Sequence, residues 1–236
     1  MSENIIRIGI FKRPEELTVD TFRDYWHYHH AAIASNMVGM QNYDQNHVIR
    51  PTDLGIAPVN DRECAGMSKI WFGSLENEQG NDAETMGKLA IDEKYLFHEM
   101  DLVTCEETLY LKRPDEKPFV KYMCLLKRKP ELSEDEFRAK LAQAADAVKV
   151  VPGITGYIEN DVLSRTYNDI QGEKRYFNIE YDRVPVDAVV EFYFEFKERY
   201  ILGDAFDSEE GAVVKAAFQG ICENAACYLC NVYHIV

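Results

Sequence analysis

Apolar and polar positions change period several times along the chain, and each change predicts an element. IIRIGIFK (5–12) and FVKYMCLLK (119–127) are short, apolar and β-rich, and each runs into a Pro-containing turn, so each predicts a first strand. Thr18 and Ser133 are natural N-caps, and Ser133 with Glu136 three residues on forms a capping-box signature that opens a helix. In the first helix Phe22, Trp26, His29 and Ile33 fall on one stripe at helical spacing, and Gly39 marks the exit. NYDQNHVI (42–49) predicts a second strand, with GYIENDVL (156–163) as its counterpart. The turn-rich stretch 50–65 reads as a loop of the kind that covers a pocket. GMSKIWFGS (66–74) predicts a third strand, roughly 82–99 a second helix and LVTCEETLYL (102–111) a fourth strand, with 112–118 as linker. For the second half the expectation is a strand at 174–182, a helix near 186–200, a helical stretch near 209–222 and a last strand at 225–235.

The two halves repeat each other. Shifted by 115, FKRPEELTVDTFR (11–23) meets LKRKPELSEDEFR (126–138), with seven of thirteen residues identical. After a one-residue deletion the offset becomes 114, and Gly39, Tyr43, Asn46 and Val48 meet Gly153, Tyr157, Asn160 and Val162. The element order then predicts an α+β fold of two ferredoxin-like β-α-β-β-α-β repeats, residues 1–113 and 118–236. Each repeat would carry helices on one face of an antiparallel sheet, and the two bare faces would close into a barrel within one chain. Its lumen is the expected ligand site.

Composition narrows the partners. Apolar residues at 46% and charged residues at 28% are ordinary for a globular protein. A net charge of −15 opposes phosphate backbones and anionic membranes, which argues against nucleic acid or membrane and leaves a small molecule or a protein. The N-terminus does not read as a secretory signal and no segment is apolar for long enough to span a bilayer, so a cytoplasmic location is expected. Of the six cysteines, Cys227 and Cys230 are spaced C-x-x-C, but on a strand residues three apart face opposite ways, so the expected role is buried apolar packing.

Candidate chemistry concentrates in YWHYHH (25–30). On a regular helix His29 and His30 flank the stripe of Phe22, Trp26 and Ile33, whereas His27 and Tyr28 project away. On the strand that follows, Tyr43, Gln45, His47 and Ile49 share one face, which places a phenol beside an imidazole. Imidazole titrates near neutrality and a phenol can stabilise a developing oxyanion, so these groups suit proton transfer. In the second copy Leu141, Ala144, Ala145 and Asp161 replace Trp26, His29, His30 and His47, while Tyr157 retains Tyr43. One working site is therefore expected, in the first half, with the second half as wall. No metal is expected from the His-x-His-His spacing, and His98 and His234 are expected to be packed or solvent-facing. Glu106 and Glu107 point to opposite faces of a strand and make no acid/base pair.

The stretch TFRDYWHYHHAAIASNMVGMQNYDQNHV resembles the signature of EthD-domain proteins in the dimeric α+β barrel superfamily: Phe-Arg-x-Tyr-Trp, a helix histidine at His30, then Gly39 and Tyr43. The resemblance implies acid/base chemistry on hydrophobic cyclic or aromatic substrates, mostly without cofactor. The third-strand cysteine of the isomerase-like pattern has no match, Ile70 standing there, and Ala31 and Ala32 replace a proline. The expectation is a cofactor-independent lyase or isomerase acting on a hydrophobic oxygenated molecule. His30, Tyr43, His47 and His29 would be the reacting or auxiliary groups, and Trp26, Trp71 and Tyr157 would contact substrate. Haem binding and non-catalytic ligand binding are the alternatives, and pairing of two such barrels into a homodimer remains open.

Overall fold

Strands dominate because β-branched and aromatic residues run in short blocks between turns. The computed structural model describes residues 4–80, 82–113, 118–170, 174–177, 183–196 and 206–236. The first half contains β1 (Ile5–Lys12), α1 (Val19–Asp24), a π-helical segment (Tyr25–His30), α2 (Ala31–Ala34), β2 (Asn42–Thr52) and β3 (Gly66–Trp71). It continues with α3 (Leu75–Gln79), α4 (Ala83–Leu96) and β4 (Glu99–Leu111). The second half contains β5 (Phe119–Arg128), α5 (Glu134–Val148), β6 (Ile154–Asp169), β7 (Lys174–Phe177), β8 (Ala188–Glu195), α6 (Glu209–Ile221) and β9 (Cys222–His234).

The strands hydrogen-bond in the order β4-β1-β3-β2-β9-β5-β8-β6, and β4 pairs with β6 to close an eight-stranded barrel, with β7 appended to β6. All these pairings are antiparallel. Each half thus shows one order, fourth strand, first, third, second. The halves meet along two seams, β2 with β9 and β4 with β6. The fold is a mixed α+β structure around a closed antiparallel barrel. Among the described residues no helix is long and apolar enough to cross a membrane.

The first-half elements and the capping box follow their sequence signals: Thr18 accepts from Thr21 N, and Ser133 and Glu136 cap each other reciprocally. The second half differs in one respect. Residues 188–195, expected in a helix, form β8, which fills the third-strand position between β5 and β6. AVVEFYFE is rich in β-branched and aromatic residues and is buried on both faces, so it lacks the polar alternation that marks a half-exposed strand. The segment expected as that strand instead supplies β7 at 174–177, and its remainder, 178–182, lies outside the described residues, as do 114–117 of the linker.

Strand alternation divides the core. Inward-facing Ile6, Ile8, Ile10, Val48, Met67, Val103, Met123, Leu125, Val162 and Val189 pack the lumen. The lumen is therefore filled by side chains, which corrects the expectation of a ligand site there. Loop residues Leu54, Ile56 and Ala57 dock on the core of the second half beside α6, so the loop at 53–58 joins the halves. Its continuation, with Cys227 and Tyr228, walls a cleft of about 470 Å³.

Candidate functional site

The site lies between the first half-sheet and its helices, on the outer face of the barrel. A regular helix advances about 100° per residue, so residues spaced by four drift about 40° per step around its axis. The π-helical turn of Tyr25–His30, wider than an α-turn, absorbs this drift. Phe22, Trp26, His30 and Ala34 consequently all face the sheet and are buried. Of the three histidines in this segment only His30 is buried; the side chain of His29 is 62% exposed. The expectation that both flank the buried stripe is corrected by this turn. His27, expected to project away, packs its ring against Tyr233, with His47 further off at 6.4 Å between centroids.

His30 Nδ1 lies 2.6 Å from Asp92 Oδ2 on α4, and Tyr25 donates to Asp92 Oδ1 at 2.8 Å. His29 Nε2 stands 3.9 Å from the same carboxylate. Burial opposes ionisation of Asp92, but the hydrogen bonds from His30 and Tyr25 and the histidine charges hold its carboxyl below the usual range. Burial and the bond to Asp92 push Tyr25 up to about 12. An ionised carboxylate only accepts, so Nδ1 of His30 carries a proton toward it, and in the neutral ring Nε2 is the bare nitrogen. Among the described residues that nitrogen has no hydrogen-bond partner.

A second network surrounds Tyr43. Its hydroxyl accepts from Trp26 Nε1 at 3.2 Å and from Gln45 Nε2 at 3.0 Å. Both lone pairs are used, which leaves the O–H to donate. Burial holds the phenol well above its usual range. Gln45 Nε2 also donates to Trp26 O at 2.8 Å, so Gln45 Oε1 faces His47 Nε2 at 3.0 Å and fixes the proton there. His47 stacks on Trp26 at 4.5 Å, and burial, with Arg23 and His27 nearby, lowers it to about 3, so it is a neutral base of low affinity for protons.

His30 and Tyr43 line one cavity of about 40 Å³, closed by Phe11, Ile70, Leu89 and Phe97 and by three methionines, Met37, Met86 and Met100. Arg7, Ser68 and Glu93 are its other polar linings; Arg7 is held by Glu78 at 2.7 Å. Trp26 and His47 stand behind Tyr43 rather than in the wall. Trp71 is elsewhere: its indole donates to Glu107 at 3.1 Å beside the lumen. Tyr157 lies under the helices of the second half, donating to Glu159 at 2.7 Å and stacked on Phe192. At the second-half counterpart of the cavity, Tyr157, Leu141, Ala144 and Ala145 are packed in the core.

Sequence reasoning missed Asp92. The signal was present: on α4 the buried residues Leu89, Asp92, Glu93 and Leu96 form one stripe, so two carboxylates stand where leucines are expected. The chain's last residues also frame the site, Ile235 N donating to Tyr43 O and Tyr43 N to Val236 O. Exposed His234 pairs with Asp44 at 2.6 Å, and His98 is exposed. Among the described residues no group of three or more His, Cys, Asp and Glu is arranged to hold a metal, and the six cysteines are free.

Comparison with solved structures finds the same architecture at low identity. An anthrone oxidase-like protein superposes with a TM-score of 0.62 at 10% identity, covering 100% of this chain and 96% of that one. A candidate monooxygenase from Lactobacillus acidophilus NCFM gives 0.54 at 10% identity, covering 98% and 94%. Another from Fusobacterium nucleatum gives 0.57 at 8% identity, covering 97% and 91%. No curated protein matches the sequence significantly. Residues 14–98, the segment that carries α1, β2, β3, α4 and the whole His30, Asp92 and Tyr43 arrangement, match the EthD domain family.

Proposed function

We propose that the first half of this chain is a cofactor-independent acid/base catalyst, a lyase or isomerase, acting on a hydrophobic, oxygen-bearing small molecule, with aromatic and polyketide-like compounds as the leading class. One observation carries the reading: a bare imidazole nitrogen on His30 and an uncommitted hydroxyl proton on Tyr43 line the same apolar cavity. His30 Nε2 removes a proton, Asp92 steadies the resulting imidazolium, and the Tyr43 O–H stabilises the oxyanion. His29 and His47 are auxiliary, and Trp26 orients Tyr43. Trp71 and Tyr157, remote from this cavity, have no part in the proposal.

A cavity of about 40 Å³ holds little more than water, so substrate must displace the helices above it. Met37, Met86 and Met100 suit that, since methionine repacks readily. Residues 1–113 and 118–236 are read as two ferredoxin-like copies, of which only the first is equipped.

The test is turnover of a panel of anthrones, phenolic lactones and enolisable aromatic ketones. His30→Ala should abolish turnover and leave circular dichroism unchanged; a fully active His30→Ala variant overturns the assignment. Loss of binding with no product in wild type would mark a ligand-binding protein instead. A Soret shift on adding haemin would mark a haem protein. The names of the similar structures favour a second reading, in which the carbanion formed at His30 is oxidised by dioxygen. Oxygen uptake during turnover separates the two.

A further inference from the structure

The barrel lumen holds buried charges that acid/base chemistry at His30 does not use. Lys69 on β3 and Glu191 on β8 form an ion pair, and both are wholly buried. Lys69 also pairs with Glu107 on β4, and Lys121 on β5 reaches Glu191 at 2.7 Å. Asn46 Oδ1 accepts from Lys121 at 2.8 Å, Asn160 Nδ2 donates to Glu191 at 3.0 Å, and the Tyr193 hydroxyl donates to Glu191 at 2.7 Å.

The strand registers make Lys69 and Glu191 one and the same position of the repeat. Lys69 lies opposite Ile8 on β1 and Asp44 on β2; Glu191 lies opposite Met123 on β5 and Ile158 on β6. Ile8 corresponds to Met123 at the sequence offset of 115, and Asp44 to Ile158 at 114. Equivalent residues touch each other only beside the pseudo-twofold axis. In a barrel of two identical halves that contact would set lysine against lysine or glutamate against glutamate. In this chain it sets a cation against an anion. The flanking charges are equally one-sided, since Lys121 corresponds by register to Ile6 and Glu107 to Val232. Asn46 and Asn160, also equivalent, adapt: one turns its oxygen to a lysine, the other its amide to a glutamate.

We propose that Lys69 and Glu191 form a recognition pair that makes the inner face of each half complementary to the unlike half, so that neither half can close a barrel with its own kind. The partner each surface fits is the opposite half, of the same chain or of a second copy. A buried ion pair is weak evidence for stability, and fixing which surfaces meet is the better-supported use of one.

Full-length Lys69→Glu and Glu191→Lys variants test this. Each alone places like charges on the axis and should lower the thermal midpoint by roughly 10 °C. Refolded together at equal concentration, the halves can exchange between chains, and one of the two barrels so formed recovers the native lysine and glutamate. A heterodimer in size-exclusion and native mass analysis is expected. A mixture containing only the parent species, or homodimers as abundant as the heterodimer, overturns the proposal. Milder Lys69→Met and Glu191→Gln variants guard against misfolding. Their combined loss in denaturant midpoint should be smaller than the sum of the single losses, and additive losses overturn the pairing.

Discussion

Asp92 holds His30 from a helix 62 residues further along the chain, with 2.6 Å between Oδ2 and Nδ1. The contact fixes which imidazole nitrogen carries the proton and so which one faces the cavity. Asp92→Asn keeps the shape but removes the charge and allows the other tautomer. Turnover should fall by about 10²–10⁴-fold, with the thermal midpoint moved by only a few degrees. Initial-rate and melting measurements on the same preparation check both.

Glu159 stands where Gln45 stands in the first half, and burial, reinforced by Asp161, raises its carboxyl to about 7 against the hydrogen bond from Tyr157. The folded state therefore holds a proton that the unfolded state releases near its ordinary pKa of about 4.5. Between those values folding stability falls as pH rises. Glu159→Gln keeps the acceptor for Tyr157 and removes the ionisation, so it should stabilise the protein at pH 8 and flatten the pH dependence between about 4.5 and 7. Urea unfolding at several pH values measures this.

His47 has the opposite sign. Its ring stays neutral in the folded protein down to about pH 3, whereas the unfolded chain takes up a proton near 6.5. Its contribution is complete above about 6.5 and is lost as pH falls from there toward 3, with a slope of at most about 1.4 kcal/mol per pH unit. A His47→Phe variant retains a ring to stack on Trp26 and should show a shallower acid limb in the same titration.

Gly66 gives Trp26 its place. A Cβ there would lie 2.2 Å from the indole Cζ3, a steric conflict rather than a φ requirement. Gly66→Ala should cost about 1–3 kcal/mol and weaken the Trp26 bond to Tyr43. Adding Trp26→Phe, which withdraws the clashing ring, should recover much of the stability without restoring that hydrogen bond. Thermal melts of the two variants separate packing from hydrogen bonding.

The first half was legible in the sequence because its signals are local: a cap at Thr18, an alternating strand at 42–49, and a shared segment that meets its copy. Three features escaped for physical reasons. β8 is buried on both faces, so its residues do not alternate. The π-helical turn shifts the facing of the histidines by an amount that regular helix periodicity does not contain. Asp92 earns its role only from a partner far away in sequence, and its local sign, a carboxylate on an apolar stripe, is easily taken for a break in the pattern. The lumen was misjudged because a small closed barrel is filled by its own side chains.

The two seams, β2 with β9 and β4 with β6, bear on how the molecule can open. All eight barrel strands are hydrogen-bonded on both sides, so none of them offers a free row of backbone amides to another chain. No barrel strand can fray alone, because each lies between two others. Release of the amides in β2 or β6 requires a seam to part, and parting a seam bares edges in both halves together. Amide protons in these strands should exchange as a single cooperative unit, leaving the helical cover over His30 as the part free to breathe.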